Sequence, residues 1–179
     1  MALYLVEFTP KAEVSQETAE KIIESAHQAL DGLEAEVIET QVTAGYKSIY
    51  AILEAAHPGV FAQSYKETFR DVAGLEGPDE VRLVGADLAD IKKLKKDAQY
   101  LIEWDIPAEI TMDEYLARKK KNAPSYAKVP EVSFLRTYVR EDTAKCLCFY
   151  DAPDEEALKR AREAVNTPID RIFKLNHKA

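Results

Sequence analysis

The sequence predicts an α+β protein made of two tandem βαββαβ units, and three observations carry that prediction. Residues 4–18, YLVEFTPKAEVSQET, return as residues 100–114, YLIEWDIPAEITMDE, at an offset of 96. Tyr4, Leu5 and Glu7 reappear as Tyr100, Leu101 and Glu103, and Ala12-Glu13 as Ala108-Glu109. A repeat covering half the chain marks two copies of one compact domain rather than a short-period solenoid. The total of 179 residues suits two domains of about 90 residues. Finally, each copy runs strand, helix, hairpin, helix, strand when its hydrophobic periods are followed in order.

In the first copy, residues 3–8 alternate as a strand. Ser15 can cap a helix whose inward stripe is Ala19, Ile22, Ile23, Ala26 and Leu30, spaced by three and four. Asp31-Gly32 stops it. Two strand-like segments, 35–42 and 46–54, flank Ala44-Gly45 as a hairpin. After Pro58-Gly59 a second helix is expected to bury Phe61, Tyr65, Thr68, Phe69 and Val72. Gly74 and Gly77-Pro78 end it, and 80–84 is a short closing strand.

The second copy repeats the order with clearer punctuation. Strand 99–104 leads to Thr111-Met-Asp-Glu114, a capping box, with Ile110 and Tyr115 placed as a hydrophobic staple. A loop at 122–126 precedes a strand near 131–139. Glu141-Asp-Thr143 turns into strand 145–150. Pro153-Asp-Glu-Glu156 starts a helix with acidic residues at its positive end, carrying Ala157, Leu158, Ala161, Ala164 and Val165 inward. Asn166-Thr-Pro168 ends it, and 170–175 closes the sheet. Two such units are ferredoxin-like domains, each a four-stranded antiparallel sheet with both helices on one face. Their open sheet faces can cover each other as a pseudo-dimeric α+β barrel. The expected division is 1–86, a linker 87–97, and 98–179.

Net charge is −8, unevenly spread: residues 1–91 hold 17 acidic and 6 basic side chains, residues 92–179 hold 15 and 18. The basic excess lies largely in Lys92-Lys93-Leu94-Lys95-Lys96, expected as a solvated linker, and in Arg118-Lys119-Lys120-Lys121, which suits a helix C-terminus. An acidic chain without a broader basic face argues against nucleic acid. No run reaches the ~18 apolar residues of a membrane span, and no secretion signal precedes the first strand. The two cysteines, Cys146 and Cys148, sit too close along one strand to bridge each other comfortably, so reduced thiols in the cytoplasm are expected. A monomer with pseudo-twofold symmetry and a homodimer both fit.

Strand alternation selects the candidate site residues. Glu7 and Glu103 recur in both copies. They point away from the aromatic faces Tyr4-Val6-Phe8 and Tyr100-Ile102-Trp104, and Asp105 shares the side of Glu103. Close together and buried, the glutamates would repel, and one would titrate higher; alternatively each pairs with an arginine. Arg136 and Tyr138 share a strand face and could present a cation and a phenol to an anionic ligand, or Arg136 could simply balance Glu103. Cys146, Cys148 and Tyr150 share a face of the next strand. Cys-x-Cys lacks the usual metal-knuckle spacing, and buried thiols packing as small hydrophobes are the plainer reading. His27 and His57 have no sequence neighbour that makes them ligands. Phosphate-loop, dinucleotide and Gly-x-Ser-x-Gly signatures do not occur.

From Val132 onward the chain resembles the small ferredoxin-like domain-of-unknown-function family associated with nickel binding. The resemblance rests on Arg136-Thr137-Tyr138-Val139, Lys145 to Cys148, Tyr150-Asp-Ala-Pro153 and Pro168-Ile-Asp170, and covers about residues 98–175. It implies the same fold and, as cofactor, nickel. Where nickel-binding members carry histidines on the first strand and second helix, this chain has Trp104-Asp105 and Arg162. Its own histidines are His27, His57 and His177, so no metal ligand is assigned; a carboxylate–thiolate set of Glu103, Asp105 and Cys148 is the alternative way to hold a metal.

Two functions are expected from this. One is a protein that binds a small molecule or metal ion, with Glu7, Glu103, Asp105, Arg136, Tyr138, Cys148 and Tyr150 as candidate ligand-binding residues. The other is a small cofactor-free enzyme, monooxygenase- or isomerase-like, with an acid–base site between the sheets. The sequence names no catalytic residue.

Overall fold

A computed structural model of the chain describes residues 1–93 and 98–176. Leu94-Lys95-Lys96 of the first basic cluster and His177 lie outside the described residues. The chain divides into two compact units: residues 1–81 with 88–93 and 175–176, and residues 82–87 with 98–174.

The first unit is built from β1 (Ala2–Pro10), α1 (Gln16–Gln28), β2 (Ala35–Val42), β3 (Ile49–Ala55), α2 (Ala62–Phe69), β4 (Ala73–Val84) as far as Val81, and α3 (Leu88–Lys93). Its strands lie in the order β2-β3-β1-β4, antiparallel throughout, with Leu5 opposite Ile52 and Leu3 opposite Val81. The side-chain period of two sends Tyr4, Val6 and Phe8 to the helix side, where they pack with Ile22, Ile23, Ala26 and Phe69. Phe8 and Phe69 rings lie 4.7 Å apart. Ser15 accepts a hydrogen bond from the Thr18 amide at 3.1 Å and so starts α1. The Tyr65 hydroxyl donates to the Ala26 carbonyl at 2.7 Å, tying α2 to α1.

The first unit departs from the sequence expectation in three places. α2 ends at Phe69; Thr68 is exposed and Val72, 41% exposed, sits in the following turn. The last strand is long, because Gly74 and Gly77-Pro78 lie within β4 rather than before it. A register shift between Leu5 and Glu7 absorbs the glycine segment, and Gly77 takes φ +95°, where a Cβ would meet the Leu5 carbonyl oxygen at 2.5 Å. The expected linker also contains a helix. Ile91 of α3 is buried, and Lys92 pairs with Glu36 at 2.9 Å and Glu54 at 3.0 Å, so this part of the basic cluster is docked on its own unit.

The second unit comprises β5 (Tyr100–Asp105), α4 (Met112–Asn122), β6 (Ser133–Arg140), β7 (Lys145–Asp151), α5 (Glu155–Ala164) and β8 (Arg171–Lys174), with a 3-10 turn at Ala123–Lys128. Strand order is β6-β7-β5-β8. Trp104 lies opposite Cys146 and Ile102 opposite Cys148, and these residues join Tyr115, Ala157, Leu158 and Ala161 in the helix-side core. Thr111 caps α4 by accepting from the Glu114 amide at 3.2 Å, while its hydroxyl donates to the Glu114 carboxylate at 3.1 Å. Asp154 caps α5 through the Ala157 amide at 2.8 Å.

Removing Phe69 (Phe69→Ala) is expected to cost about 3–5 kcal/mol in denaturant melts. Val72→Ala should stay within about 0.5 kcal/mol, because Val72 stands outside the core that the helical spacing suggests.

Candidate functional site

The helix side of the second unit holds an unusual set of polar groups for a core. β7 supplies Cys146 and Cys148, which are 0% and 1% exposed; β5 adds Trp104, and α4 adds Tyr115, Arg118 and Lys119. α5 contributes Arg162 in a stripe otherwise made of Ala157, Leu158 and Ala161. Trp104, Tyr115, Arg118, Lys119, the two cysteines, Arg162 and Thr167 line a cavity of about 20 Å³. That is room for about one water or a monatomic ion. Arg118, Lys119 and Thr167, all half-buried, form its rim.

Hydrogen bonds fix most of these groups. Arg162 donates to the Tyr150 hydroxyl at 3.1 Å and to the Pro168 carbonyl. The Tyr150 and Tyr126 hydroxyls lie 2.6 Å apart. Thr137 donates its hydroxyl to the Cys148 sulfur at 3.2 Å, and the two sulfurs are 3.9 Å apart. Arg118 donates to the Asn166 carbonyl and lies over the Trp104 ring, 5.3 Å from its centre. Lys119 lies over Phe134 at 4.4 Å. Among the described residues four buried polar atoms lack a hydrogen-bond partner: the Tyr115 hydroxyl, Arg118 Nε, Arg162 Nε and Asp151 Oδ1. Buried donors are normally satisfied, and the three donors of this set, on Tyr115, Arg118 and Arg162, all belong to residues that line the cavity, whereas the acceptor Asp151 Oδ1 does not.

The charges follow this geometry. The hydrogen bond from Cys146, then the Lys119 and Arg162 charges and the Thr137 hydroxyl, hold the Cys148 thiol well below its ordinary range against the opposing effect of burial. Cys146 is pushed up by the same contact and by burial. Burial raises Tyr126 to about 12 and Tyr150 well above its usual value. Tyr115 also rises, through burial and then the neighbouring Cys148 charge. Burial works against the Arg162 charge, but Cys148 and Tyr150 more than offset it.

The opposite face of the same strands carries a second charged group. Glu103, 3% exposed, accepts from Arg171 and has Lys145 at 3.7 Å. Arg171 also grips Asp105, with one contact at 2.9 Å, and the Asp105 amide donates to Asp170 at 2.6 Å. The Arg136 guanidinium lies 5.0 Å from the Phe149 ring centre, and Tyr138 meets the same ring edge-on at 6.0 Å.

The expected site residues therefore fall into separate groups. Glu103 and Asp105 sit together on Arg171; Arg136 and Tyr138 share Phe149. Cys148 and Tyr150 face the helices, so a carboxylate–thiolate set of Glu103, Asp105 and Cys148 is not assembled, because the pleat sends them to opposite sides. Glu7 is half-buried in the first unit. Sequence reasoning missed Arg118, Lys119, Arg171 and the inward position of Arg162. For three of these the sequence holds a signal: Arg162 is a guanidinium in an alanine–leucine stripe at i+4 from Leu158, and Arg118 and Lys119 are basic residues at i+3 and i+4 from the staple Tyr115.

Over its whole length the chain has the fold of ferredoxin-like α+β barrel proteins: TA0507, a candidate chlorite dismutase, matches 99% of this chain and 96% of its own at 13% identity and TM-score 0.56. A candidate monooxygenase from Lactobacillus acidophilus NCFM matches 98% of this chain and 94% of its own at 12% identity and TM-score 0.50. Residues 100–175 match the family model of the nickel responsive protein SCO4226-like family. The structure of SCO4226 from Streptomyces coelicolor A3(2) covers 46% of this chain and 100% of its own at 18% identity, TM-score 0.39. No curated protein matches the chain.

Nickel does not fit the residues present. His27 and His57 are exposed in the first unit. Among the described residues, no three His, Cys, Asp or Glu side chains converge as a metal cluster. The cavity that Trp104 and Arg162 line is ringed by cations rather than imidazoles, the donors nickel favours. Among the described residues, no helix is long and apolar enough to cross a membrane.

Arg171 holds the Asp105 carboxyl below the usual carboxylate range. The resulting stability is present above the unfolded carboxyl's value and is lost as pH falls through the folded one. Arg171→Met should cost about 1–2 kcal/mol at pH 7, since Lys145 still faces Glu103. Urea midpoints should also fall less between pH 7 and pH 3 in this variant than in the parent.

Proposed function

We propose that the chain is a small-ligand-binding protein, and that its ligand is a small monovalent anion held in the second unit between the sheet and helices α4 and α5. The convergence of Arg118, Lys119 and Arg162 on one water-sized cavity carries this reading. A buried guanidinium normally needs a full set of acceptors, yet Arg162 Nε has none and Arg118 Nε has none. An anion would supply them, and the Tyr115 hydroxyl would donate to it as well. The same charges disfavour a metal cation. The cavity's size suits a halide or a small linear anion rather than a substrate of many atoms. The likenesses to a candidate chlorite dismutase and a candidate monooxygenase are likenesses of fold, and one fold hosts many activities; they bring no reaction to this chain.

Trp104 is the chain's one tryptophan and lines the cavity, so its fluorescence reports occupancy. Titration with bromide and thiocyanate should give a saturable change. Arg162→Met should weaken binding about tenfold or more, from the loss of charge-assisted hydrogen bonds. Lys119→Met, at the rim and without a buried role in folding, should weaken it about threefold. A linear, unsaturable response, or affinity unchanged in Lys119→Met, would remove the reading.

A further inference from the structure

The anion reading leaves unexplained why two thiols stand in the same cavity. We propose that Cys148 is a peroxide-reactive cysteine, oxidised by hydrogen peroxide to a sulfenic acid that the cavity then holds. Four features of the geometry support this. Cys148 lines the cavity directly, so a small oxidant at its rim can reach the sulfur although the residue is 1% exposed. The Thr137 hydroxyl donates to that sulfur at 3.2 Å, an arrangement that favours the anionic form. Arg162 and Lys119 place positive charge beside it. The Cys146 sulfur lies 3.9 Å away, within reach of a thiol hydrogen bond to it.

In the step itself, the Cys148 thiolate attacks one peroxide oxygen. An S–O bond forms and the O–O bond breaks. The sulfur loses two electrons and the peroxide gains them, leaving the sulfenic acid and hydroxide, which takes a proton from solvent at the rim to become water. Arg162 and Lys119 face the charge that develops on the departing oxygen. Condensation with the Cys146 thiol would form a disulfide and release a second water, but two cysteines two apart on one strand are poorly placed to close to bonding distance. The oxidation therefore stops at the sulfenic acid. Bulky hydroperoxides are excluded by the size of the cavity.

Reduced protein treated with hydrogen peroxide, freed of excess peroxide and then unfolded in urea containing dimedone should carry one adduct, on Cys148. It should form about tenfold or more faster than on free cysteine at neutral pH. Cys146→Ser should retain the adduct. Thr137→Val, which keeps both thiols, should slow its formation severalfold; tert-butyl hydroperoxide should give little. Cys148→Ser should give none, and if that variant fails to fold, Thr137→Val and the comparison of the two peroxides decide. An adduct on Cys146, a rate equal to free cysteine, an unchanged rate in Thr137→Val, equal reaction with the bulky peroxide, or loss of both thiols without an adduct would each overturn the proposal. Saturable thiocyanate binding by a protein whose Cys148 is inert would overturn this step alone and leave the anion reading standing.

Discussion

Arg162 is the constraint around which the second unit is organised. It is a permanent charge on a helix face that otherwise packs alanine and leucine, and an unpaired guanidinium there would be prohibitively costly. Its neighbours answer that demand in sequence. The Tyr150 hydroxyl and the Pro168 carbonyl accept from it, and Tyr126 continues the chain of hydroxyls beyond Tyr150. The Cys148 sulfur lines the same cavity as Arg162. Because the residues that answer to Arg162 come from β7, the turn after α5 and the 3-10 segment, one charge fixes the mutual positions of elements distant in sequence. Buried polar networks of this kind favour a single arrangement over competing ones when every member is satisfied.

The network is incomplete by three donors, and all three belong to residues lining the same small space. A fully apolar core at this position would pack without leaving donors unmatched, and the proposed anion is what would match them. The charged group on the other face of the sheet differs in kind. Glu103, Asp105, Arg171, Lys145 and Asp170 satisfy one another at the ends of β5 and β8, which is how a carboxylate kept in a strand is commonly accommodated. One pleated strand pair thus carries a self-contained ion cluster on one side and an open-ended one on the other.

Strand alternation and helix spacing made much of this legible in the sequence. Tyr4, Val6, Phe8 and their counterparts Tyr100, Ile102 and Trp104 face the helices as their period demands, and Ser15, Thr111 and Asp154 mark the helix starts they cap. The failures have physical causes. Gly77 reads as a breaker because glycine usually is one, yet here a register shift lets the strand run through it. Val72 fits the helical spacing of α2 but lies past its end. Arg171 and Lys145 were invisible as partners of Glu103 because cross-strand pairing depends on register, which one sequence does not print. Arg118 and Lys119 were assigned to the helix dipole, and nothing in a run of basic residues says which of them turn inward.

The last described residues of the chain return to the first unit: Leu175 bridges Thr43, the Asn176 amide donates to the Val42 carbonyl at 2.8 Å, and its side chain donates to the Thr43 carbonyl at 3.2 Å. The edge of β2 is therefore finished by a segment synthesised more than 130 positions later. During translation, domains generally fold as their own sequence emerges. Here the N-terminal unit has to wait with that corner open until the C-terminal one has been made, so the order of synthesis and the order of completion run in opposite directions.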